Sequence, residues 1–378
     1  MSPLCRKAIA ALPQYNAGLS VEAVRSRFAV ERIAKLGSNE NPHGASPAVL
    51  AALVEAGGKT AHYPDGNCVA LRGALSRMLG VAPERIIVGN GSENLLELAC
   101  LAVLEPDDRV ITQGPCFGLH EIYARAMGAR VEKIPVDARL EFDVPAWRRA
   151  LGRPARLVMI ANPSNPVGCR LEAGQFRDVI SSAPEDALLL IDEAYYEFAR
   201  AAGFPDSIGE LARQRRPWLV LRTFSKAYGL AGLRVGYGVA SCALLVDMLD
   251  RLRTPFNVNV MAQAAAVAAL GDQAHMAASV REVIAEREVM RRMLAELGYT
   301  AAPSSANFLF FDAGEPAQEL ADRLLRHGVI VKAWREPGYE QYIRVSVGCR
   351  ADTDQFIGAL RRESGRVPRS SPQRLRQD

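Results

Sequence analysis

The sequence predicts an α/β fold: a mostly parallel sheet sandwiched by helices, followed by a smaller α/β domain toward the C-terminus. Two observations carry this. Short, continuously apolar, β-rich runs alternate with helix-length amphipathic segments from about Ile86 to Val239. Strands without polar alternation belong to parallel sheets buried on both faces. In the last third the pattern changes to one long amphipathic stretch and then mixed strand-like and helix-like segments.

The elements follow in order. Ile86-Ile87-Val88 leads into Gly89-Asn90-Gly91-Ser92, and Arg109 to Thr112 precedes Gly114-Pro115. Leu157 to Ala161 precedes Asn162-Pro163, Leu188 to Ile191 ends at Asp192, and Leu219 to Arg222 ends at Thr223. Ligands of such sheets sit at the carboxyl ends of the strands, which singles out Ser92, Asn165, Asp192 and Lys226. A helix from about Val280 to Leu297 stops at Gly298, a C-cap residue. Strand-like Phe308 to Phe311, helix-like Pro316 to His327, and strand-like Val329 to Lys332 and Tyr342 to Val347 complete the smaller domain. The expected division is 1–44 as an N-terminal arm and small-domain segment, 45–275 as a large domain, 276–362 as a small C-terminal domain and 363–378 as a disordered basic tail.

Composition narrows the function. With 49% hydrophobic and 23% charged residues the chain is an ordinary globular protein. The net charge of +4 is carried by the end of the chain, where six arginines face two acids from Arg361 onward. A neutral body with a basic tail is not a nucleic-acid-binding stripe. Cys5, Cys68, Cys100, Cys116, Cys169, Cys242 and Cys349 form no C-x-x-C pair and no zinc spacing; an odd, scattered set points to reduced thiols. The apolar stretch Ala8 to Leu12 is too short for a signal-peptide core, and Gln263 interrupts the alanine-rich run near Ala264. The expectation is a soluble cytoplasmic protein with neither nucleic-acid nor membrane partners.

The sharpest chemical feature is Thr223-Phe224-Ser225-Lys226-Ala227-Tyr228-Gly229-Leu230-Ala231-Gly232-Leu233-Arg234. A lysine at the end of a buried strand loses its proton readily, as Schiff-base formation requires, and two hydroxyls and an arginine suit a phosphate. Alone, this lysine also reads as an ordinary surface residue. Asp192, at the tip of an apolar strand, needs a cationic partner; a protonated pyridine nitrogen supplies one. A Mg²⁺-binding carboxylate is the alternative, but no G-x-x-x-x-G-K-[ST] loop accompanies it. Gly89-Asn90-Gly91-Ser92-Glu93-Asn94 offers helix N–H groups to a phosphate. Asn162-Pro163-Ser164-Asn165-Pro166-Val167-Gly168 fixes an extended turn that either aims the Asn165 amide at a ligand or is only structural.

Together and in this order these motifs resemble the fold-type I pyridoxal 5′-phosphate (PLP) enzymes of the class I/II aminotransferases, from about Leu12 to Leu360. The resemblance implies a seven-stranded large-domain sheet and a set of roles. Lys226 carries the cofactor as a Schiff base and shuttles a proton between Cα and C4′. Asp192 pairs with the pyridine nitrogen, Tyr195 and Asn165 with the phenolic oxygen, and Phe117 stacks on the ring. The Ser92 and Glu93 amides, Thr223, Ser225 and Arg234 bind the phosphate. Tyr63 reaches across a homodimer to the neighbour's phosphate, and Arg344 clamps the substrate's anionic end.

Within the family, Leu12-Pro13-Gln14-Tyr15-Asn16-Ala17-Gly18 and Ser38-Asn39-Glu40-Asn41-Pro42-His43-Gly44 resemble the histidinol-phosphate aminotransferases. That group exchanges an amino group between L-glutamate and imidazole acetol phosphate, giving histidinol phosphate and 2-oxoglutarate. The resemblance implies Tyr15, Asn39, Lys332 and Arg344 as substrate-binding residues. Lys332 stands where the group often has a second arginine, with Arg335 nearby; Phe117 replaces tyrosine and Val167 replaces threonine. Aromatic amino-acid aminotransferases and a threonine-phosphate decarboxylase share these motifs, and a ligand-sensing module is the non-enzyme alternative. His62, His120, His275 and His327 read as structural or solvated, and Trp147, Trp218 and Trp334 as packing residues.

Overall fold

A computed structural model describes residues 5–16, 18–200 and 204–363. The expected disordered tail lies, from residue 364 onward, outside the described residues. The chain forms two compact units. One comprises Met1–Asn16, Glu40–Glu282 and Pro303–Asn307; the other comprises Ala17–Asn39, Val283–Ala302 and Phe308–Asp378.

The first unit holds a seven-stranded sheet: β1 (Ile86–Gly89), β2 (Arg109–Gly114), β3 (Arg130–Pro135), β4 (Leu157–Ala161), β5 (Leu188–Asp192), β6 (Trp218–Thr223) and β7 (Gly236–Ala240). Their spatial order is β1-β7-β6-β5-β4-β2-β3. All neighbours from β6 to β3 run parallel, whereas β7 is antiparallel to both β6 and β1. The predicted α/β class is therefore what the chain adopts. Leu157, Met159, Leu188, Leu190, Leu219 and Leu221 point to one face and pack with Leu95, Leu98 and Ala99 of the helix Ser92–Val103, the two-residue period of a strand on the 3.6-residue period of a helix.

Two strands escape the apolar pattern. β3 is one of the two edges of the sheet and carries Arg130, Glu132 and Lys133, charges that keep an edge from pairing with other chains. β7 is glycine-rich because its neighbours crowd it: a Cβ on Gly238 would lie 3.0 Å from Leu219 and 3.1 Å from Ile87.

In the second unit Lys332–Ala333, Tyr342–Ser346 and Phe308–Asp312 form a three-stranded antiparallel sheet, and Ala34–Lys35 pairs in parallel with Val329–Ile330. The run expected as one strand from Val329 to Lys332 is thus two, because the backbone changes sheet at Val331. Leu309, Phe311, Ile343 and Val345 pack against Leu320 and Leu324 of helix Ala317–Leu325 and Phe356 and Leu360 of helix Arg350–Glu363. Helix Gln273–Glu296 begins earlier than its pattern suggested and stops just before Gly298, whose φ of 81° is the left-handed C-cap geometry anticipated there. Among the described residues no helix is long and apolar enough to cross a membrane.

Candidate active site

A polar cup forms where β1, β6 and the loop into β7 meet. Gly91, with φ of 81°, opens helix Ser92–Val103 as an N-cap without a side-chain cap, so the first-turn N–H groups remain for a ligand. Arg234 takes a left-handed backbone (φ 57°) that turns its guanidinium onto this glycine: a Cβ at Gly91 would sit 2.6 Å from Nη2. Arg234 Nη1 donates to Ser225 Oγ at 3.4 Å, and Thr223 Oγ1 donates to the same oxygen at 3.0 Å. A Cβ on Gly236 would collide with the Ser92 amide. The glycines thus bring an amide, two hydroxyls and a guanidinium around one space. Glu93 enters with its side chain too: Oε2 lies 3.4 Å from Arg234 Nη2, and Oε1 accepts from the Tyr123 hydroxyl at 2.7 Å. Burial and then the Glu93 bond raise the Tyr123 pKa, which keeps its hydroxyl a donor.

Lys226 follows Ser225 in a loop closed by its own backbone. Gly229 N donates to Lys226 O at 3.1 Å and Leu230 N to Phe224 O at 3.0 Å. Gly229 has φ of 70°, and a Cβ there would collide with Gly44 O, so the loop tolerates no other residue at that corner. Lys226 itself is half-buried.

The adjacent β5 delivers the acid. Asp192 Oδ1 accepts from Ala194 N at 3.1 Å, and Oδ2 lies 3.1 Å from His120 Nε2. An ionised Asp192 requires the imidazole proton on Nε2. Phe117 meets the His120 ring edge-on at 5.8 Å, and Tyr15 meets Phe117 edge-on at 6.0 Å. Asn162 N donates to Asp192 O at 2.9 Å, anchoring the proline turn to the strand end, and Asn165 Nδ2 donates to the Tyr195 hydroxyl at 3.3 Å.

Three residues of this neighbourhood were not singled out by sequence. His120, fully buried, backs Asp192 rather than meeting solvent; its only sequence signal is its place three residues after Phe117. Glu193 and Arg222 form an ion pair of 2.8 Å with side chains 0% and 5% exposed. The guanidinium also lies 3.5 Å from the Tyr196 ring centroid. This pair joins the ends of β5 and β6, the strands that carry Asp192 and Thr223. Nearby, burial pushes the Glu197 carboxyl up to about 7. Glu193→Leu would strand a buried guanidinium, so we expect a loss of about 3–5 kcal/mol of stability. Urea denaturation checks it, and adding Arg222→Met should restore most of the loss. An unchanged midpoint in the single variant would show that the pair contributes nothing.

Tyr63 is not brought to this cluster within the chain: it is 82% exposed and stacks on Phe256 at 4.6 Å. Asn39, Lys332 and Arg344 belong to the second unit. Lys332 and Arg344 are register partners on neighbouring antiparallel strands. Arg344 Nη2 donates to Gly37 O at 2.8 Å, and its guanidinium lies 5.5 Å from the Phe308 ring and 5.9 Å from the Trp334 ring. Asn39, with φ of 55°, is locked by Ser346, whose Oγ accepts from its backbone N–H at 2.7 Å and donates to its Oδ1 at 2.9 Å. Burial, then Arg344 and Arg335, lower Lys332 to about 8. Arg335 itself turns to Gln318, 2.9 Å away.

In chemical terms, the first unit offers a cup for a phosphate dianion, a carboxylate for a cationic ring nitrogen, two donors for a phenolic oxygen and an amine. That donor set fits PLP. The comparisons agree with it. A family model described as aminotransferase class I and II matches residues 31–360. Histidinol-phosphate aminotransferase 1 of Mesorhizobium japonicum is 45% identical over 95% of this chain and 98% of that protein. Histidinol-phosphate aminotransferase 3 of Rhizobium meliloti is 44% identical over 94% and 96%. The crystal structure of histidinol-phosphate aminotransferase from Sinorhizobium meliloti in complex with pyridoxal-5′-phosphate superposes with a TM-score of 0.87 at 31% identity, over 95% of this chain and 97% of that one. The chain belongs to the class I and II aminotransferases.

Proposed function

We propose that this aminotransferase uses PLP held on Lys226 to exchange an amino group between L-glutamate and imidazole acetol phosphate, yielding histidinol phosphate and 2-oxoglutarate. The observation that carries the substrate is the near-full-length likeness, at 45% identity, to a histidinol-phosphate aminotransferase. PLP, when bound, supplies an electron sink for the pair left at the substrate's α-carbon.

The chain's own residues do the rest. Thr223, Ser225, Arg234 and the amides of Ser92 and Glu93 hold the phosphate. Asp192, steadied by His120, keeps a proton on the ring nitrogen. Tyr195 and Asn165 bond the phenolic oxygen, and Phe117 covers the ring. Lys226 Nζ removes the proton from the substrate's α-carbon. Arg344 takes the anionic end of either substrate with its planar fork; Lys332 adds a point charge for the phosphate, with Tyr15 and Asn39 as further substrate contacts. We place the enzyme in the cytoplasm on its scattered, odd set of cysteines.

Steady-state turnover with 2-oxoglutarate, read as glutamate formed, tests the substrate. We expect kcat/KM for histidinol phosphate to exceed that for phenylalanine by at least about tenfold, or about 1.4 kcal/mol. Equal or better use of phenylalanine would make the chain an aromatic aminotransferase. Lys332→Ala should harm the phosphorylated substrate and spare phenylalanine. Lys332 is charged below its pKa of about 8 and neutral above it, so affinity for the phosphorylated substrate should fall as pH rises through 8. The fall should be absent in Lys332→Ala; a fall of the same size there would assign it to another group.

The active unit in this reading is a homodimer with shared sites, and exposed Tyr63 is its motive: the residue is available to a neighbour's phosphate. Two-fold dimers are also the commonest oligomers. Mixing Tyr63→Ala subunits with Lys226→Ala subunits should regenerate activity, because one site of each heterodimer then carries neither lesion. No recovery on subunit exchange would place Tyr63 in its own chain's site.

A further inference from the structure

At the opposite end of the sheet from Asp192 and Thr223 lies an open cavity with a mixed polar and apolar lining. β6 starts there with Trp218 and antiparallel β7 finishes there with Ala240, the register partner of Leu219. The cavity has a volume of about 320 Å³ and is lined by Arg85, Arg215, Arg216, Trp218, Ser241 and Cys242 among others. That volume is at the lower end of the range for small-ligand sites.

Its charge is one-sided. Arg85 is fixed by Nε on the Ala240 carbonyl at 2.8 Å and lies 5.2 Å from the Trp218 ring centroid. Arg216 is fixed by Nη1 on the carbonyls of Ile180 and Ala183, and burial holds its guanidinium below the usual arginine range, with Glu185 acting against this from a distance. Arg215 is exposed at the rim. Among the described residues none of the three forms a salt bridge with a carboxylate. Two are held by neutral carbonyls and stay partly exposed, so N–H donors remain for a ligand, and like charges gathered at one cavity attract an anion. The Ser241 hydroxyl adds a neutral donor. None of these groups takes part in the transfer chemistry.

We propose that this cavity binds a small polyanion carrying two phosphate or carboxylate groups, bridged between Arg85 and the Arg215–Arg216 pair. Three guanidinium groups exceed what one phosphate needs, since a single fork already serves two of its oxygens, so the number of arginines favours two anionic groups over one. The proposal is independent of the substrate of the transferase site.

Hydrogen exchange of the PLP-loaded enzyme with inorganic pyrophosphate tests it, because it locates binding even if pyrophosphate also enters the transferase site. Protection is expected over 212–218 and 241–246 in the wild type. Arg215→Glu, an exposed substitution away from the catalytic residues, should weaken that protection at least about tenfold in pyrophosphate concentration and leave turnover unchanged. Protection confined to other segments, or the same protection in Arg215→Glu, would overturn the site. Orthophosphate protecting these segments as well as pyrophosphate does would overturn the two-group reading.

Discussion

Replacing Lys226 with alanine is expected to lower kcat by at least about four orders of magnitude with the fold intact, because the substitution removes both the covalent anchor and the base. The loop that presents this lysine is closed by backbone bonds, Gly229 N to Lys226 O and Leu230 N to Phe224 O, and these survive a change of side chain. The phosphate cup is also left whole, since Thr223, Ser225 and Arg234 bond one another. Lys226→Ala should therefore keep the wild-type melting temperature and still take up PLP without a covalent bond. Rates within a factor of about ten of wild type would mean that another group moves the proton.

Asp192→Asn is expected to reduce kcat by about three orders of magnitude or more, about 4 kcal/mol of barrier. The replacement has the same shape, and its carbonyl oxygen still accepts from Ala194 N. The other arm changes from acceptor to donor where Asp192 now faces His120 Nε2 at 3.1 Å. The imidazole must then accept at Nε2 and move its proton to Nδ1, which has no hydrogen-bond partner among the described residues. A neutral amide does not hold a proton on the ring nitrogen, and a neutral ring is a poor electron sink. Circular dichroism and kcat measured on the same sample separate this effect from unfolding; a near-normal rate would remove Asp192 from the chemistry.

The parallel strands and their polar ends were legible because β4 and β5 are unbroken apolar runs, and the apolar cores of β2 and β6 likewise give way to polar residues at their carboxyl ends. Asp192 after Leu188–Ile191 and Lys226 after Leu219–Thr223 are the clearest cases. What stayed hidden depends on partners distant in sequence. β7 is antiparallel and spaced by glycines whose need arises only from Leu219 and Ile87 on either side. β3 carries the charges of an edge, which read as a surface. His120 looks like any helical histidine until Asp192, 72 residues away, is placed against it. Glu193 and Arg222 each read as a polar residue beside a more conspicuous one; only the pairing of β5 with β6 makes them a buried ion pair. The change of sheet at Val331 left no trace in the pattern, because two residues are too few for either strand to show a period of its own. Asn39 and Ser346, 307 residues apart, meet through a backbone conformation that sequence does not announce.

Everything above turns on Lys226, in the loop after β6, bearing the cofactor. Borohydride reduction of the PLP-loaded enzyme, followed by proteolysis and peptide mass analysis, tests it most directly. A single phosphopyridoxyl group is expected, on Lys226, in the peptide that also contains Ser225. A label on any other lysine, or none, would contradict it.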